Sequence, residues 1–193
     1  YYAKEEKVEE LANEAVKKLF SKINTEPKDI DLIIVATTST NNLMPGIANY
    51  IQKKQQIHNC ICLDILAGCS GFINAFDIAK IYIQIGKINK AIVLGVDILS
   101  KYTNPDDIGT SIILSDGAGA VLIEKTENPK EYYSYINAEG ENNEILTCKA
   151  EDKIYMDGIE VYKYAVTETV KNINKLLELS NEKLENIKYI IPH

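Results

Sequence analysis

Three apolar runs set the strongest limit on how this chain can fold: "DIDLIIVATT" (29–38), "CICLDIL" (60–66) and "KAIVLGVDIL" (90–99). Each is continuous rather than alternating, the pattern of a strand covered on both faces. Between and before them, apolar residues recur at helical spacing. Residues 4–23 carry Val8, Leu11, Ala12, Ala15, Leu19 and Phe20 among lysines and glutamates. "IANYIQKKQQI" (47–57) reads as a short helix and "GFINAFDIAKIYIQIGK" (71–87) as a longer one. Strand and helix alternate, so the sequence predicts an α/β layer with a mostly parallel sheet. "TSIILSDGAGAVLIEK" (110–125) reads as a last strand pair broken by glycines. A second series follows: a strand over 132–139, a polar loop over 139–144, an amphipathic helix over 158–179 and a strand over 187–192.

Two of these stretches match each other. "VKKLFSKINTEPKDIDLIIVA" (16–36) aligns without a gap on "INKLLELSNEKLENIKYIIPH" (173–193). Lys18, Leu19, Asn24, Ile30, Ile33 and Ile34 meet Lys175, Leu176, Asn181, Ile187, Ile190 and Ile191, at a constant offset of 157 (175 − 18). A gapless run of this kind reads as an internal duplication of a helix–turn–strand unit. On that reading residues 1–125 form a first half that lacks its first strand. Residues 126–193 begin a second half that stops after its second strand. The expectation is a fragment of a longer enzyme, cut at both ends.

Composition excludes several functions. The net charge is −7 and every basic residue is lysine, which argues against a phosphate-tracking nucleic-acid binder and removes guanidinium clamps from any ligand site. No apolar run is long enough to span a bilayer, so no membrane partner is expected. Four cysteines in 193 residues do not make a disulfide scaffold, and the cytoplasm is the expected compartment. Cys60 and Cys62 share one face of a strand, a poor zinc signal that reads as packing. Cys148 lies in a polar stretch. No metal site is expected, and "DGAGA" (116–120) lacks the lysine and spacing of a phosphate loop.

Cys69 differs from these three. "LDILAGCSGFINAFDIA" (63–79) sets it between a strand and the first turn of a helix, with Gly68, Ser70 and Gly71 around it. Free N–H groups and the positive end of the dipole at a helix start favour an anionic nucleophile. The glycines let the backbone turn tightly and let a substrate approach. The Cys69 N–H is then placed to bind a developing oxyanion. This is the logic of a nucleophile elbow with sulfur in place of oxygen.

"DIDLIIVATTST", "LMPGIANYIQ", "LDILAGCSGFINAFDIA", "KAIVLGVDILS", "SDGAGAVLIE", "MDGIEVYKYAVTE" and "IIPH" occur in an order and at spacings that resemble the 3-oxoacyl-acyl carrier protein synthase III family, the initiating β-ketoacyl synthases of the thiolase-like superfamily. The resemblance implies a duplicated α/β fold in α/β/α/β/α layers. It implies Cys69 as the acyl-accepting nucleophile and His193, in "IIPH", as a catalytic histidine; a third residue, an asparagine, would lie beyond His193. Gly68, Ser70, Gly71, Gly117 and Gly119 would line the substrate site. The implied substrates are an acyl-coenzyme A primer and malonyl-acyl carrier protein, with no separate cofactor and a homodimer as the working form. Without the asparagine, this chain alone is expected not to complete condensation. Ile108 stands where the family usually has an arginine that helps hold coenzyme A, and Ser115 where it has glycine. Two alternatives stay open: a related thiolase-like acyltransferase with another primer or acceptor, and an inactive truncated fragment.

Overall fold

The computed structural model describes residues 2–141, 143–149 and 152–193. The chain divides into two compact units. The first runs to Lys101 and resumes over Leu114–Pro129; the second comprises Tyr102–Ile113 and Lys130–His193.

The first unit is a four-stranded sheet with helices on both faces. In chain order its elements are α1 (Val8–Phe20), β1 (Leu32–Ala36), α2 (Ile47–Lys54), β2 (Ile61–Ile65), α3 (Gly71–Gln84), β3 (Lys90–Ile98) and β4 (Asp116–Glu124). The strand order is β2-β1-β3-β4. β1 pairs in parallel with β2 and β3, while β4 runs antiparallel to β3 from Ile98↔Asp116 to Lys90↔Glu124. Helical crossovers allow the parallel pairs, and the β3–β4 connection closes the antiparallel one. All five residues of β1 are buried, as its unbroken apolar run requires.

Alternate residues of each strand feed two cores. Ile33, Val35, Ile92, Leu94 and Val96 join Val8, Ala12 and Val16 of α1 and Ile47, Ala48 and Ile51 of α2. Leu32, Ile34, Ala91 and Val93 join Ala75 and Ala79 of α3 on the other face. α3 turns Gly71, Ala75 and Ala79, each four residues on, toward the sheet, and small residues at that spacing let a helix sit close. The 43–46 turn contains a cis Met44–Pro45 peptide, and Leu43 is 97% exposed.

The second unit holds a helical turn α4 (Ile108–Ser111), a two-stranded ribbon of β5 (Leu146–Thr147) and β6 (Tyr155–Met156), and the long helix α5 (Gly158–Ser180). Asp157 caps α5 by accepting from the N–H groups of Ile159 and Glu160, and Asn181 ends it in the left-handed region. No described helix is long and apolar enough to cross a membrane.

Three expectations are corrected. Residues 110–125 are not a strand pair: Ile108–Ser111 is helical, and one strand follows. Asp107 drives the turn, accepting from Gly109 N–H at 3.0 Å and from the Thr110 hydroxyl at 2.7 Å, which outweighs the β-preference of Ile112 and Ile113. Residues 132–139 and 187–192 form no strand among the described residues, because an alternating pattern becomes a strand only where a neighbour completes the ladder. The polar loop at 139–144 includes position 142, which lies outside the described residues.

Candidate active site

Cys69 is the middle residue of a 3-10 turn, Gly68–Ser70, that joins the end of β2 to the start of α3, and it is exposed. It therefore sits one residue ahead of the helix cap rather than inside the first α-helical turn. Gly68 makes the turn possible: its φ is +53°, and a Cβ there would meet nothing within 4 Å. The requirement is conformational rather than steric. The Ser70 hydroxyl donates to Ala67 O at 2.8 Å, and Asn74 Nδ2 donates to Ser70 O at 3.0 Å and to Ser70 Oγ at 3.1 Å. These three hydrogen bonds tie the turn to its flanks.

Gly71 has the opposite reason to be glycine. A Cβ on it would lie 3.0 Å from Ala36 Cβ, so the start of α3 rests on the end of β1. Phe72 follows, its ring against Gly95 of β3. Gly95 pairs with Gly119, and Asp97 with Gly117. Gly117 and Gly119 share their face of β4 with Val121 and Ile123, which pack on the α3 side. Gly68, Cys69, Ser70 and Gly71 are thus one turn. Gly117 and Gly119 stand on the α3 face of the sheet, at the edge where β1, β2 and β3 end. His193 is exposed at the end of the second unit. Ile108, the first residue of α4, is 70% exposed.

Three aspartates shape that edge of the sheet. Asp97 Oδ1 accepts from Thr38 N–H at 2.7 Å, Thr38 Oγ1 at 3.0 Å and Thr37 Oγ1 at 3.3 Å. Thr37 N–H in turn donates to Ile65 O at 3.2 Å, four residues before Cys69. Asp64 accepts from the N–H groups of Ile47 and Ala48 at the start of α2; a Cβ on Gly46 would lie 2.5 Å from its Oδ2. Asp116 is buried and accepts from Ala3 N–H, Ser100 N–H and the Ser100 hydroxyl. Sequence reasoning passed over all three. The available signal was a lone acid near the end of an apolar run, as in "CLDIL" and "GVDIL", since a carboxylate there needs N–H or O–H partners.

A mostly parallel α/β sheet with helices on both faces, carrying a cysteine turn at the carboxyl end of β2, is the pattern of a thiolase-like unit. Comparisons with known proteins point to the same class. The profile of 3-oxoacyl-[acyl-carrier-protein (ACP)] synthase III matches residues 63–140. The chain is 35% identical over 202 aligned residues to the β-ketoacyl-[acyl-carrier-protein] synthase III of Clostridium acetobutylicum, and 36% identical over 196 to that of Pasteurella multocida. Each match covers 97% of this chain and 62% of the relative. The crystal structure of 3-oxoacyl-[acyl-carrier-protein] synthase III from Aquifex aeolicus superposes with a TM-score of 0.92 at 33% identity, over 96% of this chain and 61% of that one. The chain is similar to the 3-oxoacyl-[acyl-carrier-protein] synthases III and spans about 62% of the length of the relatives it matches.

Proposed function

We propose that Cys69 accepts an acyl group from coenzyme A in the initiating condensation of fatty acid synthesis. The observation that carries this reading is the exposed thiol on a turn that Gly68 makes easy, at the carboxyl end of β2. In the first step the Cys69 sulfur attacks the thioester carbonyl, a new carbon–sulfur bond forms, and coenzyme A leaves as its thiol. The backbone N–H groups of the turn are the candidate donors to the oxyanion. In the second step malonyl-acyl carrier protein loses carbon dioxide. His193, in its neutral form, donates a hydrogen bond to the enolate oxygen, beside an asparagine that the resemblance puts outside these 193 residues. The enolate carbon attacks the acyl-cysteine, Cys69 leaves as a thiolate, and the 3-oxoacyl product stays on the carrier protein. No cofactor is called for, because the thioester itself supplies the activation. Gly117 and Gly119 would border the site without filling it. A homodimer acting in the cytoplasm belongs to the same proposal, supported by the family resemblance alone.

Intact mass after incubation with acetyl-coenzyme A, beside Cys69→Ala, tests the first step. One acetyl group on the parent chain and none on the variant is the expected result. Equal acetylation of both would move the nucleophile elsewhere. Ile108 favours one variant of this reading, a different primer or acceptor, because an exposed aliphatic side chain on α4 offers coenzyme A none of the donors an arginine would. A panel of acyl-coenzyme A chain lengths decides it: a preference for acetyl removes that variant.

A further inference from the structure

The second candidate for chemistry is at the other end of β2. Cys60 and Cys62, at the start of that strand, pack on the face that α1 and α2 cover, and both are half-buried. Their Sγ atoms are 3.7 Å apart. A disulfide needs about 2.05 Å, so the pair is not poised as one. Two sulfurs about 2.3 Å from a single centre lie about 3.8 Å apart at a bond angle near 110°, and about 3.5 Å apart near 100°. The observed gap falls between those values. The pair already has the bite of one thiophilic atom.

The surroundings decide which atom. Among the described residues no group of three His, Cys, Asp or Glu side chains converges to hold a metal ion, so a tetrahedral cation would lack protein ligands. Burial pushes both thiols up, Cys62 to about 12, with the Cys60 sulfur and Asp64 adding to the effect. A divalent metal requires both cysteines as thiolates, which burial disfavours here, and two further ligands. A monosubstituted trivalent arsenical requires neither. It takes two sulfurs, its third bond is to its own carbon, and the product is neutral.

We propose that Cys60 and Cys62 form a dithiol site for monosubstituted trivalent arsenicals of the type R–As(OH)2. Two arsenic–sulfur bonds form and two arsenic–oxygen bonds break. The two thiol protons leave with the two hydroxyl groups as water, and arsenic stays trivalent, so no oxidant or reductant takes part. The site is independent of acyl transfer at Cys69.

Phenylarsine oxide is the probe, applied to the whole chain and read by intact mass and peptide mapping. The expected product is one phenylarsenic group per chain in place of two thiol hydrogens, bridging Cys60 and Cys62. Excess 2-mercaptoethanol leaves it in place, and 2,3-dimercaptopropanol strips it. Cys60→Ser and Cys62→Ser each lose the retained adduct. Should either fail to fold, the double variant Cys69→Ala, Cys148→Ser keeps only the pair and must still take up one group. An adduct mapped to Cys69 or Cys148, one removed by the monothiol, or none on a chain shown folded by circular dichroism would overturn the proposal.

Discussion

Gly68 and Gly71 are three residues apart and do different work, which substitution separates. At Gly68 the space is open and the φ is +53°, so Gly68→Ala costs about 1 kcal/mol of backbone strain, and Gly68→Asn costs less because asparagine tolerates the left-handed region. Urea unfolding of the two variants reads the difference; equal midpoints would mean the turn relaxes to another conformation. At Gly71 the backbone is helical and the cost is steric. A methyl there lies 3.0 Å from Ala36 Cβ, and overpacking of this kind costs about 1 kcal/mol or more. Ala36→Gly in the Gly71→Ala background removes the contact and recovers stability, a coupling that a double-mutant cycle detects. Cys62 gives a residue-scale prediction about pH. Its folded pKa is raised by burial to about 12, above the roughly 8.5 of a free thiol. Above that lower value the unfolded chain releases a proton that the folded chain keeps, so stability falls as pH rises from there toward 12. Thermal midpoints measured from pH 8 upward decline less steeply in Cys62→Val than in the parent; parallel slopes would assign the decline to other groups.

At the scale of elements, the carboxylates near the strand ends hold the edge on which Cys69 sits. Asp97 receives three hydrogen bonds from Thr37 and Thr38, and Thr37 bonds the last residue of β2. Asp97→Ala leaves those donors unpaired and costs about 2 kcal/mol, whereas Asp97→Asn keeps an acceptor oxygen and costs less. Denaturant unfolding ranks the two, and an equal loss in both would assign the effect to charge alone. This layer explains what the sequence made legible. β1, β2, β3 and the helices α1, α2 and α3 were readable because burial on two faces, or on one helical stripe, imposes a local pattern, and α5 because its apolar residues recur at helical spacing although none is fully buried. The Cys69 turn was readable because Gly68 and Gly71 are local requirements. The Asp97 contacts were not, since the partners lie about 60 positions away in sequence. Residues 110–113 misled because the Ile–Ile pair suggests a strand, while the deciding group, Asp107, precedes it. Residues 132–139 and 187–192 have strand patterns without a ladder, and a pattern cannot say whether a neighbour is present.

At the scale of the whole molecule, the duplication read from the sequence has a structural trace. A 3-10 turn over Pro27–Asp29 follows α1, and another over Leu184–Asn186 follows α5, separated by the same 157 positions (184 − 27) as the matched residues. The two copies differ in what they bury. Every buried apolar side chain among the described residues belongs to the first unit, from Val8 to Ile98. Among its described residues the second unit buries only Thr103 and Thr110. Ile159, Tyr162, Val166 and Val170 form an exposed apolar stripe along α5 at helical spacing. The opposite stripe, with Val161, Tyr164, Ile173 and Leu176, is only half-buried, and a helix packed so lightly gains less tertiary stabilisation than α1 or α3. Regions with few buried contacts open at low free energy, while core strands open only with global unfolding. Hydrogen exchange therefore sorts the chain by unit: the amides of β1 and β3 are the slowest, and those in the middle of α5 exchange on the order of 100-fold faster or more. Protection in α5 equal to that of β1 would mean that its stripe is covered in solution. Dilution distinguishes the source of such cover, because protection supplied by a second copy of the chain weakens as concentration falls, and protection from within one chain does not.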